Sequence, residues 1–208
     1  IYCYASANAS GKAAASARVA VPAGSDPFPK DEFTGMYEAA ADAILKQTGV
    51  SKGFCLVLGA EKGRLAYALA KRSELQVYGI EPDAGKVVLA RRALEVSGLY
   101  GSRVFIDEGN PKATPYSDYF ANLIVSDSVL LTGQMPGIAA AAARQLKPCG
   151  GIGWLGAPPT APAAGNRMSA ESLRQWMAGM ELGKPKVTEG KSGVWASLSR
   201  GALPGAGS

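Results

Sequence analysis

Residues 54–83 read FCLVLGAEKGRLAYALAKRSELQVYGIEPD, and this stretch decides the fold. Its first five residues are a continuous apolar run, typical of a parallel strand buried on both faces. Residues 59–63 begin and end with glycine and predict a tight turn. Residues 64–72 carry Leu65 and Leu69 four positions apart and end in two basic residues, as a short helix does. A second apolar run ends at Glu81, so the stretch predicts a β-α-β unit.

The residue of this unit that indicates a function is the glutamate at the end of its second strand. In a right-handed β-α-β unit, the end of the second strand lies beside the turn that follows the first strand. Glu81 stands at close to the spacing of about 20 residues expected of a carboxylate that binds the two hydroxyls of a ribose. The stretch therefore predicts half of a nucleoside-binding site.

The same residues resemble the class I S-adenosylmethionine-dependent methyltransferases. The first motif of that family is commonly an acidic residue, an apolar residue and then G-x-G-x-G, and the matching window here is VLGAEKG over residues 57–63. Gly59 and Gly63 match the motif, and Glu81 matches the ribose-binding acid. Val57 stands where the acidic residue is usual and Glu61 replaces the middle glycine, so the glycine motif is degenerate. The resemblance covers residues 33–200.

The resemblance implies a three-layer Rossmann-like α/β fold whose seven-stranded sheet has the order 3-2-1-4-5-7-6, with strand 7 antiparallel. It also implies S-adenosyl-L-methionine as the cofactor. The residues it assigns to cofactor binding are Gly59, Ala60, Glu61, Gly63, Glu81, Pro82, Asn110 and Asp127. Asn110 replaces the usual Asp of the family, but its amide oxygen still accepts a hydrogen bond from the adenine amine.

The remaining elements follow from apolar periodicity and from capping residues. The predicted helices cover residues 33–47, 82–98 and 135–146, the last opened by Pro136, and a segment capped by Ser169. Further strands are predicted at residues 103–106, 121–126 and 150–155, with a polar loop at 112–119. Residues 186–189 and 194–199 predict a terminal hairpin, which suits the antiparallel closing strand of the fold.

Asp127 is the first candidate for a catalytic base. It follows the fourth predicted strand, at the edge where open α/β sheets bind ligands, and we expect it to face the cleft. Tyr116 and Asp118 are weaker candidates. Methyl transfer from a sulfonium depends mainly on proximity and alignment, so a base is optional. Residues 126–129 lack the Asn/Asp-Pro-Pro-aromatic signature of nucleobase amino methylation, and the region lacks a Pro-Cys nucleophile, which disfavours base methylation.

Composition narrows the classes of protein further. With 208 residues, 47% hydrophobic and 19% charged, the chain is typical of one globular domain. It has no His, and Cys3, Cys55 and Cys149 lack metal-ligand spacing, so we expect no metal site. The net charge is +5, but the basic residues are scattered and do not indicate nucleic-acid binding. No apolar run approaches the length of a membrane span.

The two ends of the chain differ from the centre in amino-acid composition. Residues 1–5 resemble the end of a blade in quinoprotein-type β-propellers, and residues 6–17 are rich in Ala and Ser, as linkers are. Residues 201–208 have a similar composition. We therefore predict a methyltransferase-like domain over residues 31–200, with linkers at 1–30 and 201–208, inserted in a larger protein.

Two functions remain open from the sequence. The first is a methyltransferase that acts on a small molecule or a protein side chain. The alternative is a catalytically inactive nucleoside-binding or structural module whose partners are other domains of the parent chain. Glu81 and Asn110 favour the enzyme, whereas Val57 and Glu61 favour the module. A dehydrogenase is disfavoured because the turn is not G-x-G-x-x-G.

Overall fold

The computed structural model describes residues 26–162 and 168–203. The helices in these ranges are α1 (Thr34–Thr48), α2 (Arg64–Arg72), α3 (Ala84–Val96), α4 (Asp127–Thr132), α5 (Ala139–Gln145) and α6 (Ala170–Ala178). The strands are β1 (Lys52–Leu58), β2 (Glu74–Glu81), β3 (Val104–Glu108), β4 (Leu123–Ser126), β5 (Ile152–Ala157), β6 (Lys186–Gly190) and β7 (Gly193–Ser199). No helix in the described ranges is long and apolar enough to cross a membrane.

The seven strands form one sheet in the order β3-β2-β1-β4-β5-β7-β6. β1 to β5 are parallel, whereas β7 runs antiparallel to both β5 and β6. The predicted Rossmann-like fold and its strand order are therefore confirmed. In the register of β1, Leu58 lies between Ile80 and Ser126, so the carboxyl ends of β1, β2 and β4 meet at one edge.

The centre of the sheet is the core of the domain. All four residues of β4 are buried, as are the last four residues of β1. Cys55 is fully buried in β1, and burial raises the pKa of its thiol, so it serves as a small hydrophobic residue, as predicted. Each fully buried Leu or Ile contributes about 1.5–3 kcal/mol through the hydrophobic effect. A continuous apolar run is thus the sequence signature of a strand covered on both faces.

The crossover from β3 to β4 has no helix. Residues 109–122 instead place Tyr116 and Phe120 over the sheet, where their ring centroids lie 5.7 and 5.6 Å from that of Tyr78. Tyr78 also stacks on Phe105 at 4.8 Å. Aromatic side chains therefore cover part of the sheet at the position where the other parallel crossovers carry helices.

After the fourth strand the structure has one helix that the sequence analysis did not predict and one helix that begins later than predicted. Asp127 follows the fourth strand, as predicted, and begins the short helix α4, because the Ser126 side chain accepts a hydrogen bond from the Val129 amide and caps the helix. The helix expected from Pro136 begins only at Ala139. Pro136 and Gly137 lie in a loop, and the positive φ of Gly137, 53°, is not helical.

Part of the predicted N-terminal linker packs on the domain. The ring of Phe28 lies 5.5 Å from that of Tyr67 in α2, and the Asp26 carboxylate pairs with Lys71 at 3.7 Å. The propeller-like residues 1–5 and the Ala/Ser-rich residues 6–17 lie outside the described ranges, as do residues 204–208 of the predicted C-terminal linker. Those predictions stay predictions.

Candidate functional site

A cleft of about 870 Å³ opens at the carboxyl edge of the sheet. It is bounded by the turn after β1, the ends of β2 and β3, and the loop between α4 and α5. Five of the residues that the sequence assigned to the cofactor line it: Gly59, Glu61, Glu81, Pro82 and Asn110. Residues from three separate turns thus meet in one cavity, as the β-α-β pattern predicts.

Ala60 and Gly63 do not line the cleft. Ala60 is fully buried, and its amide donates to the Ile80 carbonyl at 3.1 Å, which ties the turn to β2. A Cβ on Gly63 would lie 3.2 Å from the Cβ of Ala90, so this glycine allows close packing of the turn on α3. Both residues therefore hold the turn against β2 and α3 and do not contact the cleft.

Gly59 holds the turn against the start of α4. Its carbonyl accepts from the Ser128 amide at 3.0 Å. An added Cβ would lie 2.6 Å from Ser128 Oγ, and φ is 61°, in the left-handed region that favours glycine. The close approach of these two segments therefore requires glycine at this position.

Glu81 is the centre of the hydrogen bonding in the cleft. Its Oε2 accepts from the Glu61 amide at 2.7 Å and its Oε1 from the Asp83 amide at 3.1 Å. Burial raises the pKa of this carboxyl, and the two amide donors oppose that rise. Each carboxylate oxygen has a second lone pair, so each retains room for one further donor. The chemistry of Glu81 therefore fits the two hydroxyls of a ribose.

Glu61 is fixed through both its backbone amide and its side-chain carboxylate. Its φ of 52° lies in the left-handed region, where a non-glycine residue is strained by about 1–2 kcal/mol. Its amide is bound by Glu81, and its Oε2 lies 2.6 Å from the Lys86 ammonium. The hydrogen bond to Glu61 raises the pKa of Lys86. Lys86, which the sequence reasoning missed, thus neutralises the carboxylate that interrupts the glycine motif.

Asn110 follows β3 and lines the cleft. Its Oδ1 accepts from the Lys112 amide at 2.9 Å and its carbonyl from the Ala113 amide. The amide oxygen keeps a second lone pair. The side chain is therefore oriented by its own loop while remaining able to accept from an adenine amine.

Asp127 does not face the cleft, contrary to the sequence-based expectation. It is fully buried behind the turn, where Oδ1 accepts from the Tyr37 hydroxyl at 2.8 Å and Oδ2 from the Leu65 amide at 3.4 Å. Burial raises the pKa of Asp127 to about 8. Burial and the neighbouring Asp127 charge also raise the pKa of Tyr37. Asp127 is a structural link between α1, α2 and α4.

The two weaker base candidates also lie outside the cleft lining. The Tyr116 hydroxyl donates to Asp107 at 2.7 Å, and the pKa of Tyr116 is raised by burial. Asp118 pairs with Arg144 at 2.8 Å. Neither side chain is positioned to take a proton in the cleft.

Several residues of the lining were not found from the sequence. They are Lys86 on α3, Glu108 at the end of β3, Gly109, Pro111 and Lys112 after β3, Ser128 on α4, and the loop residues Gln134, Met135, Pro136 and Gly137. The Ser126 cap was the available signal for α4, and the Pro136-Gly137 pair was the available signal for a loop.

The charges of the lining nearly balance. Three carboxylates (Glu61, Glu81 and Glu108) face two ammonium groups (Lys86 and Lys112), which leaves one excess negative charge. The described residues contain no group of three or more acidic, His or Cys side chains arranged to hold a metal ion. The cleft therefore has the polarity for a ligand with a small net positive charge.

Comparison with known proteins relates the chain to others by structure alone. No family model matches the chain, and no curated protein matches it. A putative S-adenosyl-L-methionine-dependent methyltransferase from Methanococcus maripaludis superposes with a TM-score of 0.72 at 22% identity, over 85% of this chain and 90% of that one. A SAM-dependent methyltransferase from Aquifex aeolicus gives a TM-score of 0.60 at 16% identity, over 76% and 87%. The [4+2]-cyclase SpnF gives 0.55 at 20% identity, over 73% and 59%.

The domain therefore has the Rossmann-like fold of the S-adenosylmethionine-dependent methyltransferases. At these identities the likeness establishes the fold. What the domain does has to be argued from the cleft.

Proposed function

We propose that this domain binds S-adenosyl-L-methionine in the cleft and transfers its methyl group to a small molecule or a protein side chain. One observation carries the proposal. The turn after β1 and the ends of β2 and β3 line a single cavity, and Glu81 is hydrogen-bonded to the backbone of the turn. The methyltransferase fold adds support.

Each of the five lining residues that the family resemblance assigned to the cofactor has a role in this proposal. Glu81 accepts from the two ribose hydroxyls through its remaining lone pairs. Asn110 accepts from the adenine amine, and Pro82 packs beside the base. Gly59 and the backbone of Glu61 lie along the methionine portion. The excess negative charge of the lining suits a cofactor whose sulfonium and ammonium outweigh its carboxylate.

Methyl transfer requires mainly that the protein align the cofactor and the acceptor. The bound cofactor supplies an electrophilic methyl group on sulfonium sulfur. Binding and alignment of two reactants lower the barrier by making the reaction effectively unimolecular. Asp127 is enclosed, so in this proposal it acts as a positioning residue that holds Tyr37 and the start of α2.

The test is calorimetric titration with S-adenosylmethionine and S-adenosylhomocysteine. Glu81→Ala removes charge-assisted hydrogen bonds, each worth about 1.5–3 kcal/mol, so we expect the affinity to fall at least tenfold. Glu74→Ala is the matched control, because Glu74 lies on the same strand but pairs with Lys52 on the surface, where both side chains are exposed. Equal affinities of the two variants would remove Glu81 from the site.

The alternative is a nucleoside-binding module without methyl transfer. It is favoured by the Glu61–Lys86 pair, which occupies the cleft lining, and by the enclosure of Asp127. A fold neighbour described as a [4+2]-cyclase also supports the separation of this fold from methyl transfer. Tight binding of S-adenosylmethionine with no S-adenosylhomocysteine formed across a panel of acceptors would favour the module.

A further inference from the structure

A second cavity, of about 500 Å³, adjoins the cleft. It shares Glu61 and Lys86 with the cleft, so the two cavities meet at this ion pair. Its volume is within the range of about 300–1,000 Å³ that is usual for small-molecule sites. We call this second cavity the side chamber.

The walls of the side chamber are mainly apolar. They come from Phe28, Pro29 and Phe33 of the segment before and at the start of α1, from the Tyr37 ring, and from Leu131 on α4. The Tyr37 hydroxyl is bound to Asp127, so this residue presents mainly its ring. Such a surface gains free energy by enclosing another ring.

Most charges around the side chamber are already neutralised. Arg64 donates to the Asp31 carboxylate at 2.8 Å and to the Pro29 carbonyl at 3.0 Å, and its guanidinium lies 5.1 Å from the Phe28 ring centroid. These contacts fix the segment that forms one wall, and the Arg64 guanidinium lowers the pKa of Asp31. Glu61 is paired with Lys86. Among the described residues of its lining, the side chamber therefore has no unpaired carboxylate that could attract a cation.

Lys62 differs from the other charged residues around the side chamber, because its charge is not neutralised by an ion pair with a described residue. It is exposed and lines the side chamber, and within residues 26–162 and 168–203 it has no carboxylate at ion-pair distance. Lys62 follows Glu61 in the chain, so its ammonium belongs to the part of the side chamber that adjoins the cleft. An exposed ammonium there favours an acidic group at the end of a ring compound that faces the cleft.

We propose that the side chamber binds the methyl acceptor, and that the acceptor is an apolar ring compound with an acidic hydroxyl group directed toward Lys62. This inference rests on the proposed methyl transfer. The phenolic proton passes to solvent at the exposed edge. The acceptor oxygen then donates an electron pair to the methyl carbon, and the carbon–sulfur bond breaks with its electrons kept by sulfur. The products are the methyl ether and S-adenosylhomocysteine.

Binding of 2-naphthol to the ¹⁵N-labelled protein, followed by amide chemical shifts, tests the side chamber without any need for turnover. We expect saturable shifts at Phe33, Tyr37 and Leu131. Leu131→Trp fills the cavity and should weaken binding at least tenfold. Val96→Trp is the control, because Val96 is 60% exposed on α3, away from the side chamber, and it should leave the affinity unchanged.

A charge comparison tests the acceptor class with a variant of an exposed residue. The cation 2-(aminomethyl)naphthalene carries the same ring system and should bind at least tenfold more weakly than 2-naphthol. Lys62→Met should reduce that difference. Stronger binding of the cation, or 2-naphthol binding that Leu131→Trp leaves unchanged, would overturn the proposal.

The outcomes for the two proposals are distinct. If S-adenosylmethionine binds the cleft but 2-naphthol does not bind the side chamber, the acceptor inference fails alone. If 2-naphthol binds as expected but S-adenosylmethionine does not bind, methyl transfer fails. The side chamber then remains a ring-binding site, but not an acceptor site.

Discussion

Glu61 combines backbone strain with a compensating ion pair at a single residue. The left-handed φ costs about 1–2 kcal/mol, and a Cβ stands where the family motif has glycine. The Lys86 ammonium neutralises the side chain, although Lys86 is one-third exposed and such pairs are weak in water. Steric and conformational effects therefore outweigh electrostatic effects at this position.

The first prediction concerns Glu61→Gly. We expect S-adenosylmethionine to bind about tenfold more tightly, because without a Cβ at position 61 the cofactor can approach the backbone of the turn more closely. The double variant Glu61→Gly/Lys86→Met keeps the wild-type net charge and should show the same gain. Titrations at one salt concentration compare the three proteins. Weaker binding by both variants would identify the glutamate as a ligand contact.

Asp127 makes the stability of the fold depend on pH. Its pKa is about 8 in the folded protein and near 3.8 in the unfolded chain, so between these values the folded state binds more protons than the unfolded state. The free energy of unfolding therefore falls as pH rises from about 4 to 8.

The second prediction follows from this dependence. Asp127→Asn removes the titrating group but keeps an acceptor for the Tyr37 hydroxyl. From pH 5 to pH 8, the wild type should lose at least about 1.4 kcal/mol of stability relative to the variant, the free energy of one pKa unit. Urea unfolding at several pH values measures the difference. A constant difference between the two proteins would show that Asp127 is ionised throughout.

The loop between α4 and α5 is the element that closes the cleft. Gly137 lies in this loop at φ 53°, and a Cβ there would lie 2.8 Å from the Pro111 carbonyl oxygen. This close approach joins the loop to the segment after β3, and both segments line the cleft. The geometry of the element therefore depends on a glycine at this contact.

The third prediction compares two glycines with positive φ. Gly137→Ala should weaken S-adenosylmethionine binding several-fold, because the loop must move away from Pro111. Gly101→Ala has similar backbone strain, with φ 74°, but its Cβ would meet nothing within 4 Å. It should cost stability without changing affinity. Titration and thermal unfolding of both variants separate the clash from the strain, and equal affinities would exclude the loop from binding.

At the scale of the whole molecule, the sheet has a protected centre and an exposed edge. β1 has a parallel neighbour on each side and is buried over its last four residues. β6 pairs only with β7 among the described strands, and four of its five residues are exposed. Local opening is easiest where few apolar contacts hold the backbone.

The fourth prediction is therefore a gradient of amide hydrogen exchange across the sheet. Amides of residues 55–58 should exchange only through global unfolding, whereas those of β6 should exchange far faster. Mass spectrometry of peptic fragments measures both. Equal protection of the two strands would mean that the sheet unfolds as a single unit.

The fold was largely determined by local sequence. Apolar runs are fully visible in the residues themselves, and the glycine turn and Glu81 follow from spacing in a right-handed crossover. The strand order, the antiparallel β7 and the capped α6 were predicted on this basis and through the family resemblance. Element ends differ by a few residues, because strand and helix termini depend on neighbours as well as on composition.

The site was decided only in part by the sequence. Spacing indicated the glycine turn and Glu81, and the family resemblance added Pro82 and Asn110. All of them line one cleft, because the carboxyl ends of parallel strands share an edge. Three features needed the tertiary structure: the Lys86 partner of Glu61, the burial of Asp127 against Tyr37, and the packing of Phe28 over Arg64. Each joins segments whose distance in space no local pattern encodes. Local periodicity sets which residues face a strand or helix surface, whereas the packing of several elements decides which charges are paired and which carboxylate reaches solvent.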